Sequence, residues 1–297
     1  MISRRGFFRW LGGLALAGLS TATYALAIEP GFRLRQVTYS FTPPRWTPGL
    51  KLKVVALADP HLAEPIMPLS RWLKIMDAAN AIEPDLIVLL GDYLGTHRFV
   101  SKELPIDSVP SSAPRLKALL GVYAITGNHD WWGDPVAQAA GHGPLEVQRL
   151  FEAQGIPVLE NKAVRLEKDG LPFWLSGTSS MVAIKRPGHS NFESRADIPG
   201  TMAQVTDDAP IIHMAHEPDL IVDLPERISV TLSGHTHGGQ IRLFGWSPIV
   251  PSMYGNRFAY GHVIEEGKHL IVSGGLGCSI MPVRFGMPPE ITVLELG

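Results

Sequence analysis

Apolar runs and stretches of helical periodicity alternate along the first half of the chain. Leu52 to Ala58, Leu86 to Leu90 and Val122 to Thr126 are apolar runs of strand length, which read as buried strands. Between the first two, Leu69, Trp72, Leu73, Met76, Ala79 and Ile82 recur at helical spacing. They predict a helix over 69–82, which Pro84 stops. Residues 96–112 read as a loop and Pro114 to Leu120 as a short helix. Strands separated by helical segments are the mark of βαβ units and a parallel sheet.

The pattern then changes. Pro135 to Gln154 is helical, with an interruption at Gly141-His142-Gly143. Ile156–Leu159, Ala163–Glu167 and Leu171–Ser176 read as short strands, the last two joined by an Asp169-Gly170 hairpin turn. Residues 179–209 read mostly as loop. Further strands are expected at Ile211–Ala215, Ile228–Leu232, Ile241–Phe244, Leu270–Val272 and Ile291–Leu296. Gly31 to Gly49, rich in Pro and aromatics, reads as an edge strand and tether. The expected fold is α/β, a four-layer α/β/β/α sandwich of two mixed sheets with flanking helices. One domain spans 51–297, after an extended segment at 28–50.

The N-terminus follows different rules. Ser3-Arg4-Arg5-Gly6-Phe7-Phe8-Arg9 places a twin-arginine pair before an apolar stretch from Trp10 to Ala27. That stretch closes on Ala25-Leu26-Ala27, a small-x-small cleavage pattern. An uncleaved segment of this length also spans a bilayer, and an ordinary anchor or a Sec signal shares the composition. The register of Ser, both Arg and Phe favours the twin-arginine translocation machinery as partner. Residues 1–27 are then signal or anchor, and the body lies in the periplasm or on the outer face of the cytoplasmic membrane. A single cysteine, Cys278, excludes an internal disulfide.

Charge narrows the partners. Taking Arg4, Arg5 and Arg9 from 26 basic residues leaves 23 against 28 acidic ones. That balance is a poor electrostatic footprint for nucleic acid.

Five short blocks carry the chemistry, each after an apolar run: Asp59-Pro60-His61, Gly91-Asp92, Gly127-Asn128-His129-Asp130, His216-Glu217-Pro218 and Gly234-His235-Thr236-His237. Their mixture of oxygen and imidazole donors suits Mn, Fe or Zn. Strands of open α/β sheets deliver site residues to their C-terminal edge. Singly, each block has a structural reading, since an Asp caps helices and a His satisfies a buried hydrogen bond. Together they point to a two-metal hydrolytic centre.

In these five blocks the chain resembles the calcineurin-like metallophosphoesterase superfamily, over roughly residues 51–296. Within it, His216-Glu217-Pro218-Asp219, Gly274-Gly275-Leu276-Gly277 and Pro282-Val283-Arg284-Phe285 are similar to a bacterial membrane-associated branch, some of whose members use the twin-arginine route. The resemblance implies two divalent cations. Asp59, His61 and His237 would hold one, Asn128, His216 and His235 the other, and Asp92 would bridge them. His129 would face the substrate and protonate the leaving oxygen, with Asp130 orienting its imidazole. A hydroxide shared by the metals would attack phosphorus in line.

Other residues are assigned by position. His213, three before His216, is expected in the core or behind the ligands. His97, His142, His189, His262 and His269 are expected at the surface or in loops. Arg284, and behind it Arg98, are candidates to neutralise substrate phosphate. Trp131-Trp132 is a candidate apolar wall for a lipid-linked phosphate, with core packing as the alternative reading. Cys278 is expected as a small buried thiol. The expected activity is hydrolysis of phosphodiester or phosphoanhydride bonds on a membrane- or envelope-associated substrate. The alternatives are a UDP-linked acyl-sugar pyrophosphatase, which export argues against, and a non-catalytic metal-binding envelope module, which would not need His129.

Overall fold

The computed structural model describes residues 3–95, 99–186 and 191–297. Apolar side chains in the strand Leu52–Leu57 alternate between two destinations. Val54 and Ala56 point into a core between two sheets, whereas Val55 and Leu57 point into a core under helices. The same alternation at Leu86 and Val88 against Ile87 and Leu89 shows a sheet buried on both faces.

The first sheet has the order Arg35–Phe41, Glu290–Leu296, Leu52–Leu57, Leu86–Leu89, Val122–Ala124. Only the contact of Glu290–Leu296 with Leu52–Leu57 is antiparallel. Arg35–Phe41 is the edge strand expected there. The second sheet runs Gly261–Glu265, Lys268–Val272, Val230–Ser233, Ile211–Met214, Leu171–Gly177, Lys162–Lys168. Its centre is parallel and its two outermost pairings are antiparallel. Between the sheets, Leu52, Val54, Leu86 and Leu294 meet Phe173, Leu175, Ile212, Met214, Val230 and Leu232. The fold is therefore mixed α/β with two main mixed sheets.

Helices cover the first sheet. Leu69–Asn80 follows Pro68 and buries Trp72, Ile75, Met76 and Ala79, the i, i+3, i+4, i+7 stripe of a helix facing a core. The second sheet's outer face is covered more thinly, by the 3₁₀ turn Pro218–Val222, the short helix Ile198–Met202 and loops around Phe258.

Several expected elements differ. Pro114–Leu120 holds only the end of the 3₁₀ turn Ala113–Arg115, and a short helix lies at Ser108–Ser112, inside the segment expected as loop. Ile156–Leu159 and Ile241–Phe244 make isolated bridges rather than strands. The loop 179–209 contains a two-strand ribbon, Ile184–Lys185 with Phe192–Glu193, besides Ile198–Met202. Gly261–Glu265 is a strand not anticipated. At the N-terminus one helix, Arg4–Phe32, is long and apolar enough to cross a membrane. It includes a π-helical turn at Tyr24–Ile28, so residues 28–32 are helical rather than extended.

Candidate metal centre

The five blocks meet where the strands of both sheets end. After Leu57 the chain turns sharply: Asp59 and His61 both take left-handed φ, 51° and 41°. Asp92, His235 and His237 do likewise, at 57°, 68° and 51°. Non-glycine residues rarely adopt this region, and clusters of such residues mark sites held by their surroundings. The bends turn side chains from both sheets toward one point.

Around that point the donor atoms crowd together. His61 Nε2 lies 3.2 Å from His237 Nε2 and 3.5 Å from Asp92 Oδ2. Asp92 Oδ2 is also 3.2 Å from His216 Nε2, so this one oxygen stands between two imidazoles. Asn128 Oδ1 lies 3.2 Å from His216 Nε2 and 2.8 Å from His235 Nδ1. Asp59 Oδ1 accepts the His235 N–H at 2.8 Å, whereas its Oδ2 is buried with no hydrogen-bond partner. An orphaned buried carboxylate oxygen beside facing imidazole nitrogens fits a divalent cation.

The hydrogen bonds behind the ligands fit the same conclusion. His61 Nδ1 lies 3.2 Å from the Leu94 carbonyl, and His216 Nδ1 lies 2.6 Å from that of Leu90. A carbonyl only accepts, so each Nδ1 carries a proton and each Nε2 is the atom turned toward the centre. Burial pushes His61 and His235 down to about 3 and His237 well below the usual histidine range, which keeps these rings neutral. Burial, reinforced by the negative charge of Asp92, pushes the Asp59 carboxyl up to about 7. Burial also opposes charge on His216 and Asp92, but each stabilises the other's ionised form. His216 is therefore raised well above its ordinary value and Asp92 held well below. Three neutral imidazoles thus face the point already deprotonated, while Asp59 and His216 must each give up a proton before they can hold a divalent cation.

His129 is half-buried beside this cluster, on the short helix Asn128–Trp132. Its Nε2 lies 3.3 Å from Ser279 Oγ, and its ring stacks edge-on against His61. His129 lines a cavity of about 280 Å³ together with Asp92, Asn128, His235 and His237. The remainder of the wall is largely apolar, including Trp132, Ile249, Ile280 and Met281. Trp131 is instead a core residue, so the tandem tryptophans divide between the two readings.

Two assignments need correction. Arg284 does not face the cavity: it is fully buried, and its guanidinium donates to the carbonyls of Gly274, Gly277 and Met287. One nitrogen lies 3.1 Å from His237 Nδ1, so Arg284 braces a ligand from behind rather than binding phosphate. Asp130 does not orient His129. Its carboxylate accepts the backbone N–H groups of Asp92, Tyr93 and Gly127, tying together the two loops that carry Asp92 and Asn128. Arg98, His97 and His189 lie outside the described residues. His213 is a core histidine, 2.9 Å from Ser176 Oγ. Cys278 is the expected buried thiol. Sequence reasoning missed Ser279 and the apolar rim at Ile249 and Ile280, because no spacing links those loops to the five blocks.

Comparison with known proteins agrees with this chemistry. The calcineurin-like phosphoesterase family profile matches residues 52–239. The metallophosphoesterase YkuE of Bacillus subtilis is 30% identical over 99% of this chain and 98% of its own length. The phosphodiesterase YaeI of Escherichia coli is 30% identical over the whole of both chains. A zebrafish (Danio rerio) transmembrane protein with a metallophosphoesterase domain is 32% identical over 82% of this chain and 53% of its own. With its ligand set assembled at the strand ends, the chain belongs to the calcineurin-like phosphoesterase family and is a metal-dependent hydrolase of phosphoric esters.

Proposed function

We propose that the protein hydrolyses phosphodiester or phosphoanhydride bonds at a centre for two divalent cations, Mn, Fe or Zn, on a membrane-associated substrate. The observation that carries this reading is the paired ligand set. Asp59, His61 and His237 form one group, Asn128, His216 and His235 the other, and Asp92 Oδ2 sits between His61 and His216. Cations bound there supply Lewis-acid stabilisation of phosphoryl charge and an activated water.

The chain's own residues do the rest. Hydrolysis breaks a P–O bond, and the departing oxygen needs a proton. His129 Nε2, at the cavity wall beside Ser279, is placed to give it. Asp130 fixes the two loops so that Asp92 and Asn128 keep their spacing, and Arg284 holds the His237 ring. The apolar wall at Trp132, Ile249 and Ile280 excludes water from one side and accommodates a lipid-like group. The helix Arg4–Phe32, long and apolar enough to cross a membrane, supports a substrate at the membrane surface. Its Ser3-Arg4-Arg5 start supports export by the twin-arginine route.

Full-length protein in detergent, assayed with bis- and mono-nitrophenyl phosphates and Mn²⁺, tests this. We expect two metals per chain by elemental analysis and faster diester turnover. His129→Ala should cost about 10²–10⁴-fold in kcat while metal content is retained. Wild type and His129→Ala equally inactive with every metal would favour a non-catalytic module.

A further inference from the structure

We infer that the loops around the cavity mouth, residues 243–254 and 280–281, form a second membrane contact, seated in the lipid headgroup region beside the N-terminal helix. The strongest sign is Phe244. Leu243 and Trp246 exchange both backbone hydrogen bonds at 2.9 Å, closing a two-residue turn with Phe244 at φ 52° and Gly245 at 81°. This left-handed pair is the turn that prefers Asn-Gly. A bulky ring at its tip is strained, and here it is fully exposed, with no packing contact in return.

Its neighbours are of the same kind. Trp246, Ile249 (72% exposed), Met253 (76%), Ile280 (70%) and Met281 are exposed large apolar side chains. Ile249, Ile280 and Met281 also line the cavity, so the patch is continuous with the mouth. Contiguous exposed apolar surface of this kind marks a protein or membrane contact.

The occupant is identified by the helix. The Ala25 carbonyl accepts the Arg284 N–H, Tyr24 packs edge-on against Phe285, and the Glu29 carboxylate accepts the Gly286 and Met287 N–H groups. The segment 284–287 bonds directly to the base of the turn, through Phe285 N to Gln240 O and Arg242 N to Phe285 O. Thus the helix leaves the body beside the Phe244 turn. Its exposed part, Arg4–Thr23, has 20 residues, about 30 Å, with Arg4, Arg5 and Arg9 at the far end reaching the opposite headgroups and the apolar residues from Trp10 onward in the hydrocarbon core. With that length in the membrane, Tyr24 to Phe32 lie at the interface, and so does the patch next to them. Aromatic and apolar side chains favour that zone. The mouth would then open onto the lipid surface, where a phosphodiester headgroup lies.

This deepens the proposed function for the substrate's location, but its test needs no turnover. Phe244→Cys and Ile280→Cys would each carry a nitroxide label on the full chain in phosphatidylglycerol/phosphatidylethanolamine vesicles, with the exposed Val136→Cys, outside these loops, as a control. The unlabelled buried Cys278 of the parent chain sets the background. We expect labels at 244 and 280 to collide several-fold more with oxygen than with a water-soluble nickel chelate, and the label at 136 to do the reverse. Nickel access at both patch positions equal to that at 136 overturns the proposal. Shielding from both reagents, which means coverage by protein, overturns it too.

Discussion

Gly127 has no room for a methyl group. A Cβ there would lie 2.3 Å from Asp92 Oδ1 and 2.5 Å from His216 Cε1, so two ligands pack against a bare backbone. Gly127→Ala must push one of them aside, and a displacement near 1 Å at a catalytic centre costs about 10²-fold. We expect kcat/KM for a bis-nitrophenyl phosphate to fall by about that factor, with lower metal content at a fixed metal concentration. An alanine variant of wild-type activity would contradict the packing. At this scale the convergence of candidate ligands was legible because their types and order survive in the sequence as five blocks. The roles of Arg284 and Asp130 were not, because sequence does not show which way a side chain points. Both sit beside ligands, and both spend their hydrogen bonds on backbone.

Among elements, long periodic segments were the readable ones. The stripe in Leu69–Asn80 and the apolar runs ending at Asp59 and Asp92 each encode burial directly. Short pieces such as Ile241–Phe244 were misread because their apolar residues face outward, and an exposed turn has the composition of a strand. The junction of helix and body was also hidden. Glu29 is a buried carboxylate inside an apolar segment, and its partners Gly286 and Met287 lie some 257 positions away. Glu29→Ala leaves two backbone donors without an acceptor, a loss of about 1–3 kcal/mol. Denaturation of the full chain in detergent should show that loss. Because Arg284 in the same segment backs His237, metal affinity should weaken with it. Unchanged stability would mean that the helix end is not part of the folded body.

For the whole molecule, the metal-free centre holds protons that a bound cation must displace. The buried Asp59 carboxyl titrates at about 7, and His216 keeps its proton above the ordinary histidine range beside Asp92. To bind a cation, Asp59 must be ionised and His216 neutral. The metal-free protein therefore binds more protons than the loaded one, and raising the pH favours loading. His61 and His235, already neutral above about 3, add nothing to this dependence near neutrality. Between pH 6 and pH 8 the apparent affinity for Mn²⁺ should rise at least about tenfold, since each proton released contributes up to tenfold per pH unit below its pKa. Titration calorimetry in buffers of differing ionisation enthalpy should find at least one proton released per chain at pH 6.5. An affinity flat across that range would show that the ligands are already deprotonated. In that case Asp92 and His216 would not form the charged pair that their 3.2 Å contact describes.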